Sequence, residues 1–260
     1  MARAIISLTT DFGTADHFVG TMKGVIFSIL PEAAIADISH AIEAFDILGG
    51  ALTIAAAAPY YRTGTVHVVV VDPGVGSARR PIVARVDQQF FVAPDNGVLT
   101  LIFERAKDLE VRHVTNDNLF LKPVSHTFHG RDIFAPAAAW LAKGTAFEEF
   151  GPLITDFVRL DIPKPVRIDE KTIRGSVLKV DRFGNLLTNL NADQIEVGFE
   201  LHLGDVVINR VASHYAEGVP GELFLILGSS GFYEISTCRR SAADTLGARA
   251  GSEFLVKVRD

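Results

Sequence analysis

Two aspartates follow apolar runs that read as buried strands, Asp11 after residues 4–10 and Asp72 after residues 66–71. In an open α/β sheet, ligands bind in the crevice beyond the carboxyl ends of the strands, so both carboxylates are placed to look into one pocket. Each is equally suited to cap the turn or helix that follows it, and for a single aspartate the two readings are about even. Asp11, followed by Phe12-Gly13, also suits a ribose diol, as acidic residues do in dinucleotide folds. Asp72 opens a glycine-rich turn, Asp72-Pro73-Gly74-Val75-Gly76-Ser77, with Arg79 and Arg80 just beyond it. The turn lacks the spacing and the Lys-Ser/Thr ending of a phosphate-binding P-loop. It does allow an arginine to fold back toward Asp72.

His129 stands in Thr127-Phe128-His129-Gly130-Arg131-Asp132, just ahead of a helix pattern. A helix N-terminus lowers a histidine pKa. A lone histidine is more often structural than catalytic, and no carboxylate spacing around His126 and His129 completes a zinc motif, so metal is not expected. Further on, Asp181-Arg182-Phe183-Gly184-Asn185 offers Phe183 to stack on a nucleobase and Asn185 to hydrogen-bond it. From the residues alone, a hairpin turn with glycine and asparagine at positive φ is the favoured account of that stretch.

The elements that must position these groups divide in two. Residues 1–160 alternate strand and helix patterns: strands over 4–10, 34–39 and 66–71, a hairpin over 81–93, and helices over 16–30, 45–58, 96–106 and 132–143. Such alternation predicts an α/β domain with a largely parallel sheet. Asp161-Ile162-Pro163-Lys164-Pro165 is a stiff connector. Residues 161–260 are strand-rich, with runs over 172–180, 201–207, 222–227, 231–237 and 253–258, and predict a smaller all-β, barrel- or sandwich-like domain.

Composition narrows the function classes. A net charge of −6 without a basic stripe argues against a nucleic-acid surface. No run of 18 apolar residues predicts a membrane span, and the start of the chain lacks a signal-peptide pattern, so a cytoplasmic protein is expected. The single cysteine, Cys238, excludes an intramolecular disulfide.

Five segments together resemble one family: Thr9-Thr10-Asp11-Phe12-Gly13, the 72–80 turn, Ala93-Pro94-Asp95-Asn96-Gly97, the 127–132 stretch and the 181–185 stretch. Their order over nearly the whole chain is similar to the S-adenosyl-L-methionine (SAM) hydroxide adenosyltransferases, relatives of the fluorinases and chlorinases. The resemblance implies hydrolysis of SAM to adenosine and L-methionine by attack of activated water at ribose C5′, with no cofactor. It implies a catalytic set of Asp72, Arg79 and His129. It places Asp11 on the ribose hydroxyls, Phe183 and Asn185 on adenine, and Asp181, with Asp16, on the methionine ammonium. Phe128 joins the substrate-binding set through its motif, and Ser229 through the region that meets the methionine carboxylate, where the arginine of halogenating relatives is absent and Arg239 or Arg240 is the candidate to compensate. It further implies a homotrimer with substrate at subunit interfaces.

The implied chemistry is coherent. A sulfonium leaves as a neutral thioether and needs no general acid, so the enzyme must supply an activated oxygen behind C5′. Arg79 suits stabilising hydroxide and His129 suits taking its proton; Asp72 suits orienting either or acting as base. Halide adenosyl transfer is disfavoured, because those relatives carry Tyr and Thr where this chain has Asp72 and Val75, and the fluorinating branch carries Tyr-Ser in place of His129-Gly130. A non-catalytic adenosine- or SAM-binding protein would use Asp11 and Asn185 without needing Asp72, Arg79 and His129 together.

Overall fold

A computed structural model describes residues 3–195 and 198–258. The chain forms two compact units that meet in sequence at Leu160 and Asp161.

The first unit is built on seven strands: β1 (Ile5–Thr10), β2 (Ala34–Ser39), β3 (Val66–Val70), β4 (Pro81–Val86), β5 (Gln89–Pro94), β6 (Leu109–His113) and β7 (Leu153–Ile154). They lie in the order β2-β1-β3-β5-β4-β6-β7. The β2-β1, β1-β3 and β3-β5 pairs are parallel. The β5-β4, β4-β6 and β6-β7 pairs are antiparallel. The sheet is therefore mixed, which corrects the expectation of a largely parallel one. The physical cause is the tight Asp87-Gln88 connection between β4 and β5, which forces an antiparallel pair and hands the rest of that edge to antiparallel neighbours.

Helices α1 (Phe18–Ile29), α2 (Ile47–Ala57), α3 (Thr100–Arg105) and α4 (Ala135–Lys143) cover the sheet. Met22 and Ile26 of α1 and the alanines of α4 share a core with Ile6, Leu8, Val68 and Val70. On the opposite face α2 lies so close that a Cβ on Gly50 would stand 3.0 Å from Val71 and 3.1 Å from Val98. With both faces covered, all five residues of β3 are buried, which is why its sequence reads as an unbroken β-branched run. One polar group sits in that run. His67 meets Ser7 Oγ through Nδ1 at 2.6 Å and stacks on Phe91.

The second unit carries β8 (Val166–Arg167), β9 (Thr172–Val180), β10 (Leu186–Asn191), β11 (Phe199–Leu203), β12 (Val206–Ile208), β13 (Val211–Ala212), β14 (Leu223–Leu227), β15 (Phe232–Thr237), helix α5 (Ala242–Leu246) and β16 (Glu253–Val258). They form one curled, half-barrel-like sheet, ordered β12-β11-β16-β9-β10-β15-β14-β13, with β8 on β9. The 201–207 run is a hairpin rather than one strand, because Gly204 takes φ +59° between β11 and β12.

Candidate active site

Thr10 pairs with Val70 on neighbouring parallel strands, so Asp11 and Asp72 leave the sheet at the same edge. The 72–80 turn then folds back. Arg79 Nε donates to Asp72 Oδ1 at 2.9 Å, and Arg79 Nη2 donates to Asp72 Oδ2, a bidentate pair. Both side chains are nearly buried, at 9% and 5% exposure, so the pair is little screened by water. The guanidinium also lies over the Phe134 ring, 5.2 Å from its centre.

His129 completes the group. Its Nδ1 is 2.7 Å from Arg79 Nη2. A guanidinium has only donors, so this bond requires a lone pair on Nδ1 and puts the proton of the neutral ring on Nε2. Burial lowers the His129 pKa, the Arg79 charge lowers it further, and Asp72, Asp132 and the Ser125 backbone oppose these effects. A regular helix N-terminus was the expected cause. Instead His129 precedes a five-residue π-helical segment, Gly130–Phe134, that leads into α4, and desolvation dominates. Arg79 Nη1 is buried and has no hydrogen-bond partner, so one charged donor of the set is uncommitted.

Two local features bring these segments together. Gly76 has φ +78°, and a Cβ there would collide with the His126 carbonyl, so the turn packs directly on the backbone that carries His129. Asp132, fully buried, accepts from Ser125 N and pairs with Arg131, which closes the loop ahead of His129. A cavity of about 130 Å³ opens beside the set, lined by Phe12, Phe18, Val70, Asp72, Val75 and residues 127–130. Phe128 is buried in its wall, in edge contact with Phe12 and Phe18. Asp11 and Asp16 are not among the lining residues. Asp11 Oδ2 accepts from Phe45 N at 2.9 Å, and Asp16 is exposed.

In the second unit, Asp181, Phe183, Asn185 and Ser229 line one cavity of about 890 Å³. The 181–185 stretch is the β9-β10 turn, with Gly184 at φ +84°. Asp181 Oδ1 accepts from Phe183 N and Asn185 N, both at 2.8 Å, and Oδ2 from Asn185 Nδ2 at 2.9 Å. The aspartate thus holds a turn that leaves Phe183 77% exposed and Asn185 buried. Sequence reading passed over Tyr215 and Glu234, which share this cavity with Thr237, Arg239, Arg240 and Ser241. Only their positions along strands and turns marked them, and that signal does not separate cavity walls from surface.

Asn96 entered the sequence reading only as part of the 93–97 motif, without a role. Its Nδ2 donates to the Val71 carbonyl at 2.8 Å, one residue before Asp72 and beyond the β3-β5 ladder. Arg80, adjacent to Arg79, points elsewhere: it pairs with the buried Asp95 and with Asp156.

The chain thus combines a mixed α/β sheet, a curled β sheet and an Asp-Arg-His cluster at a strand end. Residues 6–151 match the SAM hydroxide adenosyltransferase N-terminal domain, and residues 175–255 match the C-terminal domain of the same family. The chain belongs to the SAM hydroxide adenosyltransferase family. It is similar to the (R)-S-adenosyl-L-methionine hydrolase of Salinispora tropica, at 36% identity over 96% of this chain and 97% of the relative. The enzyme of that name from Thermus thermophilus is 36% identical over 93% and 95%. A fluorinase from Actinoplanes sp. is more distant, at 28% identity over 76% of each chain. A crystal structure of a conserved protein from Thermotoga maritima superposes with a TM-score of 0.90 at 37% identity, covering 98% of this chain and all of that one.

Proposed function

We infer that this chain hydrolyses SAM to adenosine and L-methionine, with water attacking ribose C5′ and the thioether leaving as a neutral group. The observation that carries the reading is the buried Asp72-Arg79-His129 cluster beside a small cavity, in a chain whose full-length relatives of about 35% identity bear the hydrolase name. The Arg79 guanidinium lies behind the part of the cavity wall that Asp72 and His129 form, and its charge favours the hydroxide character of the attacking oxygen. Asp72 fixes the guanidinium through two bonds. Releasing His129 Nδ1 breaks one bond to Arg79, whereas freeing Asp72 breaks a charged bidentate pair, so His129 is the readier acceptor for the proton lost as the C5′–O bond forms. The apolar, aromatic lining of the cavity strengthens these interactions and suits a step in which hydroxide and sulfonium charges cancel.

Substrate is held by Asp11 at the ribose, with Phe128, Phe183 and Asn185 around the nucleoside and Asp16, Asp181 and Ser229 toward the amino-acid end. The assembly is a cytoplasmic homotrimer with the N-terminal unit of one subunit facing the C-terminal unit of its neighbour, and it uses no metal. Incubation with SAM and separation of products by chromatography tests the reading. Adenosine and methionine in equal amounts, undiminished by a chelator, are expected. Methylthioadenosine as sole product, or loss of turnover with chelator, contradicts it.

A further inference from the structure

The cavity of the second unit contains a carboxylate with no role in the account so far. Glu234, on β15, is half-buried in its wall. Tyr215 donates to Glu234 Oε2 at 2.8 Å. Burial raises the Glu234 pKa and the charge of Asp181 adds to this, while the Tyr215 bond opposes it. The Tyr215 hydroxyl is itself pushed up to about 12, first by burial and then by Glu234, so it remains a donor. The carboxylate therefore lies in a cavity wall with a neutral hydroxyl as its partner and a second negative charge nearby, an arrangement that a bound cation relieves.

The neighbouring residues fix what kind of cation. Asp181 has three of its acceptor positions filled by its own turn, so Glu234 is the carboxylate with capacity to spare. A Cβ on Gly228 would run into the Glu234 carboxylate, so glycine at that position gives it room against the turn that carries Ser229. Arg239 and Arg240 line the same cavity. An acceptor of negative charge and a pair of cations in one cavity complement a zwitterion. A sulfonium carries no N–H or O–H donor, whereas an ammonium offers three.

Resting on the reading of the chain as a SAM hydrolase, we propose that Glu234, oriented by Tyr215, receives the α-ammonium of the substrate's amino-acid end, with Ser229 and the Arg239-Arg240 pair on the side of its carboxylate. The site thereby selects amino-acid sulfoniums over adenosyl compounds that lack the ammonium.

The test compares hydrolysis of SAM with that of the same sulfonium bearing hydrogen in place of the α-ammonium, alongside adenosine affinity by calorimetry. Wild-type protein is expected to prefer SAM in kcat/KM by about tenfold or more, the scale of a hydrogen bond to a charged group. Glu234→Gln should erase most of that preference through KM, while leaving the des-amino compound and adenosine within about twofold. Tyr215→Phe, which keeps the carboxylate but frees its orientation, should fall between. Glu234→Gln protein that folds and hydrolyses SAM with the wild-type preference overturns the inference and leaves the hydrolase reading intact. Should Glu234→Gln fail to fold, an unaltered preference in Tyr215→Phe overturns it instead. Wild-type protein that releases no adenosine from SAM overturns both.

Discussion

In the proposed mechanism Arg79 is the residue that ties the cluster together. Nε and Nη2 are bound to Asp72, Nη2 also meets His129, and Nη1 is free. A lysine cannot reproduce that fork, so Arg79→Lys is expected to rescue little of what Arg79→Ala loses. Arg79→Ala and His129→Ala should each slow single turnovers by roughly a hundredfold or more with SAM still bound. Retained binding with unaltered turnover in either would remove that residue from the mechanism. Arg80→Ala should act on stability instead. It strips a partner from the buried Asp95, at a cost of about 2 kcal/mol, and lowers the melting temperature by several degrees with turnover per folded molecule unchanged. The pH profile follows from the His129 tautomer. Imidazolium has no lone pair for Arg79, so activity should fall as pH drops through the His129 pKa. Burial and Arg79 hold that pKa down, which places the acid limb of kcat below the ordinary histidine value of 6.5. A limb above 6.5 that disappears in His129→Gln would reverse this assignment.

Elements matter through how closely they approach. Gly76→Ala combines an unfavourable positive φ with a collision against His126, and should separate the Asp72 turn from the His129 segment. The expected outcome is about 1–2 kcal/mol of lost stability and a larger loss of kcat than of substrate affinity, measured by denaturation and steady-state kinetics. Several elements were legible in advance for a stated physical reason. β3 is buried on both faces and reads as an apolar run, and the 81–93 hairpin shows through its tight Asp87-Gln88 link. β6 and β7 were missed: Leu109–His113 alternates charged and apolar residues at a half-covered edge, and β7 has only two residues. They extend the antiparallel side that the β4-β5 hairpin begins. The segment ahead of α4 reads as an ordinary helix start, and no residue pattern marks Gly130–Phe134 as π-helical. Asp72 was marked by its strand end and His129 by its place before a helix, but only the family resemblance joined them with Arg79 as one set. No role was legible in the sequence for Asn96, Tyr215 or Glu234, whose partners lie 19–25 residues away in sequence and become visible only through pairing of strands and loops.

At the scale of the whole molecule, acid sensitivity has a source apart from the active site. His67 is buried in the sheet and its pKa is lowered by desolvation to about 4. The unfolded chain therefore takes up a proton between about pH 6.5 and 4 that the folded chain refuses, and stability declines as pH falls through that window, by up to about 3 kcal/mol from this group. Denaturant melts of wild type and His67→Asn should converge in slope against pH above 6.5 and differ below it; parallel acid limbs would assign the loss elsewhere. Among the described residues no helix is long and apolar enough to cross a membrane. The proposed trimer is expected to appear in light scattering as three times the 28.1 kDa chain mass, and a monomer that still binds SAM would contradict it. The central claim is that water attacks carbon C5′ of SAM, and isotopic labelling tests it most directly. A single turnover in water enriched in oxygen-18, followed by mass spectrometry, should place one heavy oxygen in the 5′-hydroxyl of adenosine and none in methionine. Unlabelled adenosine, or label in the amino-acid product, would contradict the account.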